Sequence, residues 1–91
     1  MRVEQVEIYS DATNQAVLRH PGRQFPGSLI QGDTLYSICR NADEICAKAK
    51  SSLDADTYFE LNQLRNALWD RLTHYKRVLS EHNLPLPFSE V

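Results

Sequence analysis

From Leu35 onward the apolar residues recur at intervals of three and four, and this change of period constrains the fold more than any other feature of the chain. Leu35, Ile38, Cys39, Ala42, Ile45, Cys46 and Ala49 fall along one face of a helix. A second run, through Tyr58, Leu61, Leu64, Leu68, Leu72, Tyr75 and Leu79, carries the same pattern over about seven turns. Between them, Ser51, Ser52 and Leu53 form a connection so short that the two helices must be antiparallel neighbours. The expected helices cover about 34–51 and about 55–82. Asp33 is the expected N-cap of the first, and Asp54 or Asp56 of the second, since a carboxylate there accepts from free backbone N–H groups at the positive end of the helix. Asn83, Pro85 and Pro87 stop the second helix. They leave a tail over 83–91 whose Leu84, Leu86 and Phe88 can fold back over a groove.

Upstream the period is two. Val6 and Ile8 alternate with Glu7 and Tyr9 within 5–10, Asp11 to Asn14 are turn formers, and Gln15 to Arg19 returns to strand-forming residues, which predicts a hairpin. Pro21-Gly22 and Pro26-Gly27 each suit the two central positions of a type II turn, and Ser28 to Gln31 adds a short third strand. The β part therefore covers about 3–31. The expected fold is α+β: a short antiparallel hairpin, extended to three strands, packed on a long antiparallel two-helix hairpin in a single domain over 1–91.

Ninety-one residues with a formal net charge of −2 make one small domain. Such a domain buries roughly 60 to 68% of its unfolded surface, so association would add to its stability. No lysine or arginine cluster is dense enough to follow a phosphate backbone, which argues against nucleic acid as a partner. The N-terminal MRVEQVEIYS is too charged for a signal peptide, and no apolar run is long enough to cross a bilayer, so a cytoplasmic protein without membrane contact is expected. Cys39 and Cys46 sit about 10 Å apart along a helix axis, too far for an intrahelical disulfide, and read as reduced, buried small hydrophobes.

Few residues look like chemistry. Gly27-x4-Gly32-Asp33-Thr34 has the glycine spacing of a phosphate loop but an aspartate where the lysine should stand. His74 and His82 lack a second metal ligand, the cysteines are buried, and no serine sits in a nucleophile elbow, so neither a cofactor nor a catalytic residue is expected. Asp43-Glu44 reads as part of a solvated face.

The stretch from Arg19 to Leu35 holds all three glycines and two of the four prolines. Within it Arg19, His20 and Arg23, flanked by Phe25, form a candidate ligand or partner surface for a small anion or an acidic protein. The alternative is that the arginines pair with Glu4, Glu7 or Asp33 and the prolines and glycines only shape a turn. On the second helix Trp69 falls beside the apolar stripe and Phe59 nearly opposite it, which makes Phe59, Arg65 and Trp69 a candidate interface, with Arg65 placed to stack on the indole. Cover by the β-hairpin or the tail is the other fate open to Trp69.

Two resemblances accompany these residues. Gln31-Gly32-Asp33-Thr34-Leu35-Tyr36-Ser37-Ile38 resembles the opening of the lysin motif, a peptidoglycan- and chitin-binding βααβ module, and Glu60-Leu61-Asn62-Gln63-Leu64 resembles its second helix. The glycine and asparagine are about eight residues further apart here than in that family, and Leu64 to Ser80 continues as helix where a closing strand should stand. A shared way of starting a helix accounts for the likeness. Arg19-His20-Pro21-Gly22-Arg23, Phe25-Pro26-Gly27 and Ile30-Gln31-Gly32-Asp33-Thr34-Leu35, followed by a helical pair, are similar to a family of small bacterial proteins of unknown function. That resemblance implies a fold and a bacterial cytoplasmic setting, and it transfers no catalytic residue. The function expected is a non-catalytic protein-binding module, immunity-like or regulatory, with a protein partner or a second copy as its target. Peptidoglycan binding, or anion sensing or catalysis by the Arg19–Arg23 loop, stands as the alternative.

Overall fold

The computed structural model describes residues 1–90; Val91, counted in the tail from sequence, lies outside the described residues. The chain forms two compact units, 1–31 and 32–91.

The first unit is a three-stranded antiparallel sheet in the order β1-β2-β3, with β1 Glu7–Ser10, β2 Val17–Arg19 and β3 Gly27–Ser28. Glu7 stands opposite Arg19 and Ile8 opposite Leu18. The register then slips at Tyr9, so that Ser10 faces Val17 across a bulge. The turn between β1 and β2 closes through the Gln15 N–H and the Ala12 carbonyl at 3.3 Å. It holds Thr13 at φ 56°, an uncommon conformation for a β-branched residue. Of the two central residues of this turn only Thr13 has positive φ.

Pro21-Gly22 makes the expected turn. Arg23 N–H donates to the His20 carbonyl at 3.1 Å, and Gly22 adopts φ +82°. Pro26-Gly27 does not. Gly27 lacks the positive φ that a type II turn requires and instead pairs with Leu18 as the first residue of β3. The third strand accordingly starts one residue earlier than expected and ends at Ser28, although Leu29 N–H still donates to the Ala16 carbonyl at 2.9 Å.

The second unit is the helical hairpin, α1 Gly32–Ala49 and α2 Ala55–Glu81. Asp54, rather than Asp56, caps α2. Its carboxylate accepts from the Thr57 backbone N–H at 3.1 Å and from the Thr57 hydroxyl at 2.7 Å. Asp33 is not the cap of α1: the helix begins at Gly32, which places Asp33 inside the first turn, where its carboxylate accepts from Thr34 N–H at 2.9 Å. At the far end of α2, Leu84 N–H reaches the Leu79 carbonyl at 2.9 Å and Asn83 N–H the Ser80 carbonyl at 3.2 Å. Asn83 takes φ 55°, so the helix closes in a Schellman motif with asparagine in glycine's usual place. That reversal sends the tail back along the hairpin. Phe88 stacks on Tyr36 with ring centroids 4.3 Å apart and planes 4° from parallel, and Glu90 pairs with Lys76.

The core is small. Leu35, Cys39 and Leu72 form it, with Tyr36, Leu68, Trp69, Tyr75 and Phe88 packed around them, and Cys46 is buried as well. Both cysteines are free, as their spacing requires. The expected stripes are only partly buried: Ile38, Ile45 and Leu64 face outward at 36%, 55% and 61% exposure. One pair of antiparallel helices can bury only the narrow seam where they touch, and these three residues lie beside it.

Candidate functional site

Three places on the molecule gather side chains with chemical or binding potential. The first is built around Asp43. At residue 43 of α1 the side chain crosses to α2, where its Oδ1 accepts from Arg65 Nε at 2.5 Å and from Trp69 Nε1 at 2.8 Å. The two carboxylate oxygens are acceptors only, and their charge shortens both bonds. Arg65 also lies over the indole at 6.0 Å from the ring centroid. Asp43 is thus half-buried and engaged, which corrects its assignment to a solvated face. Trp69 is a half-buried member of the core periphery held by a hydrogen bond. Sequence reasoning placed Arg65 on Trp69 and missed Asp43, because the contact spans 26 residues and depends on the register of the hairpin. Phe59, the third member of the expected interface, is 64% exposed and stands apart from this cluster.

Above Asp43 lies an open hollow of about 570 Å³ walled by Tyr36, Arg40, Glu44 and Trp69, with Glu90 of the tail at its rim. Arg40 donates to the Tyr36 hydroxyl at 3.1 Å. The wall mixes both signs of charge and offers no nucleophile beside a base. Cys39, one turn before Asp43 on α1, has no exposed surface, and burial, followed by the nearby Asp43 charge, pushes its thiol above the ordinary range.

The second place is on the opposite side of the hairpin. Ile38, Ala42 and Ile45 of α1 and Leu61, Leu64 and Leu68 of α2 line a shallow groove of about 240 Å³, edged by Asn41 and Arg65. Arg65 is the only charged residue of the lining, and it is already paired with Asp43.

The third place is the Arg19–Gly27 loop. Arg19 pairs with Glu7 across the β1–β2 ladder, as one of the turn-shaping alternatives expected. The Glu7 carboxylate also accepts from the Tyr9 hydroxyl at 2.6 Å, and the tyrosine bond first and the arginine second hold it below the ordinary carboxylate range. His20 turns its Nδ1 to the Pro21 carbonyl at 2.6 Å. His20 and Arg23 then share a hollow of about 160 Å³ with Phe25 and Leu18, while a separate hollow of about 200 Å³ holds Arg19 with Glu7, His20 and Arg23. The loop therefore does bring the expected residues close, but it sets a carboxylate among the cations.

Among the described residues, no group of three or more His, Cys, Asp or Glu is arranged to hold a metal ion, and no helix is long and apolar enough to cross a membrane. No strand follows α2 among the described residues, so the arrangement is not that of the lysin motif.

The fold and these surfaces define a small α+β protein made of a three-stranded antiparallel sheet and an antiparallel helical hairpin. A sequence family described as Family of unknown function (DUF6959) matches residues 1–88, and the chain belongs to that family. No curated protein and no solved structure matches it.

Proposed function

We propose that this chain is a non-catalytic protein-binding module whose contact surface is the apolar groove between α1 and α2. The observation that carries the reading is the groove itself: six aliphatic side chains from two helices line it, while among the described residues only four hydrophobic side chains are buried. An apolar face of that kind, next to a core that small, supports reading the groove as an interaction site. In this reading the chain acts by binding a protein through the groove, whether another polypeptide or a second copy, as an immunity or regulatory protein does. The anion-binding alternative is weaker, because Glu7 neutralises one of the two fixed positive charges it needs.

Photocrosslinking in cells tests the reading. A benzophenone amino acid in place of Leu64 should give a discrete crosslinked protein species, and the same probe in place of the exposed Arg77 should not. Equal, diffuse labelling from both positions, or none from Leu64, removes the groove as a contact surface.

A further inference from the structure

Resting on the groove as a protein contact surface, we propose that its occupant is the same groove of a second copy, and that two hairpins stack face to face as an antiparallel four-helix bundle. The heptad-like spacing of Ile38, Ala42, Ile45 and Ala49 gives α1 a second apolar seam beside the one that packs on α2. On α2 the exposed face that borders the groove reads Glu60, Leu64, Ala67 and Arg71, again at intervals of four, three and four, with Leu64 shared between this face and the groove lining. A hairpin alone covers one seam per helix, whereas a pair of hairpins covers both.

The charges choose the partner and its direction. A two-fold axis lying in the interface and perpendicular to the helices sets each helix against its own copy, running the other way. With the axis midway along Glu60–Arg71, Leu64 meets Ala67 of the second copy and Glu60 meets the opposite charge of Arg71, each contact occurring twice. On α1 the same operation sets Ile38 against Ile45. Gly32 abuts Tyr75 and Asp43 meets Arg65 and Trp69, so the middle of Ile38–Ile45 stands level with the middle of Glu60–Arg71. One axis therefore serves both helices. The only charge in the groove lining, Arg65, is already neutralised within its own chain, so the copies bring no unpaired like charges together.

Ile38, Ile45 and Leu64 stand at 36%, 55% and 61% exposure, and since a specific interface needs roughly 1,000 Å² in total, the contact must also cover the flanking Glu60, Ala67 and Arg71.

Sedimentation equilibrium of the full chain, with far-UV circular dichroism as a check on folding, provides the test. The wild type should be a dimer at micromolar concentration. Glu60→Arg and Arg71→Glu, each turning two attractions into two repulsions, should raise the dimer dissociation constant about tenfold, and the double exchange Glu60→Arg/Arg71→Glu should restore it to within about threefold. Leu64→Glu should give a helical monomer. A monomeric wild type overturns the proposal, as does a dimer in which the double exchange is no better than the single ones. A monomer whose position 64 crosslinks to a different polypeptide ends the self-association while leaving the protein-binding reading intact. A monomer with no crosslink ends both.

Discussion

Removing the Asp43 carboxylate should loosen the hairpin at its middle. In Asp43→Ala, Trp69 Nε1 and Arg65 Nε each lose their acceptor, at 2.8 and 2.5 Å respectively. The Arg65–Asp43 pair is about one-third exposed on each side, 35% and 33%, so screening holds its contribution to about 1 kcal/mol. The indole N–H is left half-buried without a partner, which costs about 1 to 2 kcal/mol more. The expected total is about 2 to 3 kcal/mol. Asp43→Asn keeps a carbonyl oxygen for the indole and loses the charge, so it should lose only about 1 kcal/mol. Urea titration followed by circular dichroism gives the two values, measured at one fixed protein concentration so that association does not shift the midpoints. Trp69 is the sole tryptophan, so its emission reports independently on the same bond and should shift in Asp43→Ala. A loss below about 0.5 kcal/mol in the alanine variant with unchanged emission, or equal losses in both variants, would refute this account of the node.

Four other substitutions follow from the backbone and its caps. A methyl group at position 32 would overlap the ring and hydroxyl of Tyr75, so Gly32→Ala should destabilise the hairpin by about 1 to 3 kcal/mol despite alanine's better helix propensity, read by urea titration. Gly22→Ala meets no neighbouring atom yet must hold φ +82°, and should cost about 1 kcal/mol, whereas Gly27→Ala, with open space and no positive φ, should be close to neutral; paired thermal melts check the contrast. The Asp54 carboxyl is held below its ordinary range by the Thr57 hydroxyl and then by the Thr57 backbone N–H. A lowered folded value means its stabilisation is complete above the unfolded carboxylate value and disappears as pH falls through the folded one. Asp54→Ala should therefore lower the melting temperature at neutral pH, and the gap to wild type should close toward the acid end of the carboxylate range.

The secondary structure was largely legible because its signals are local. The stripes through Leu35 and Tyr58 located both helices, Asp54 marked the start of α2 within its first turn, and Pro21-Gly22 specified a turn whose φ is as required. Pro26-Gly27 misled because a Pro-Gly pair serves a turn or a strand start equally well, and the choice was made by pairing with Leu18, a non-local contact. Asp33 misled by a single residue, since Gly32 could enter the helix ahead of it. Which apolar residues would be buried was less legible: a stripe of 3.6-residue period does not tell how wide a seam its partner covers, and Ile45 and Leu64 fell outside it. Asp43 was illegible for a related reason. Its acceptor role depends on which turn of α2 stands opposite, and nothing within its own helix records that. The Arg19–Glu7 pair, by contrast, was one of three pairings open to the arginines, and the β1–β2 register selected it.

The close approach of Gly32 to Tyr75 has a consequence for how sequences of this family can vary. The two positions lie at opposite ends of the hairpin in sequence but occupy one volume, so they are a single choice rather than two. A relative with a side chain at position 32 should carry a smaller residue than tyrosine at 75. Gly32→Ala combined with Tyr75→Leu should be better tolerated than either change alone would suggest, so the substitutions should be inherited in pairs.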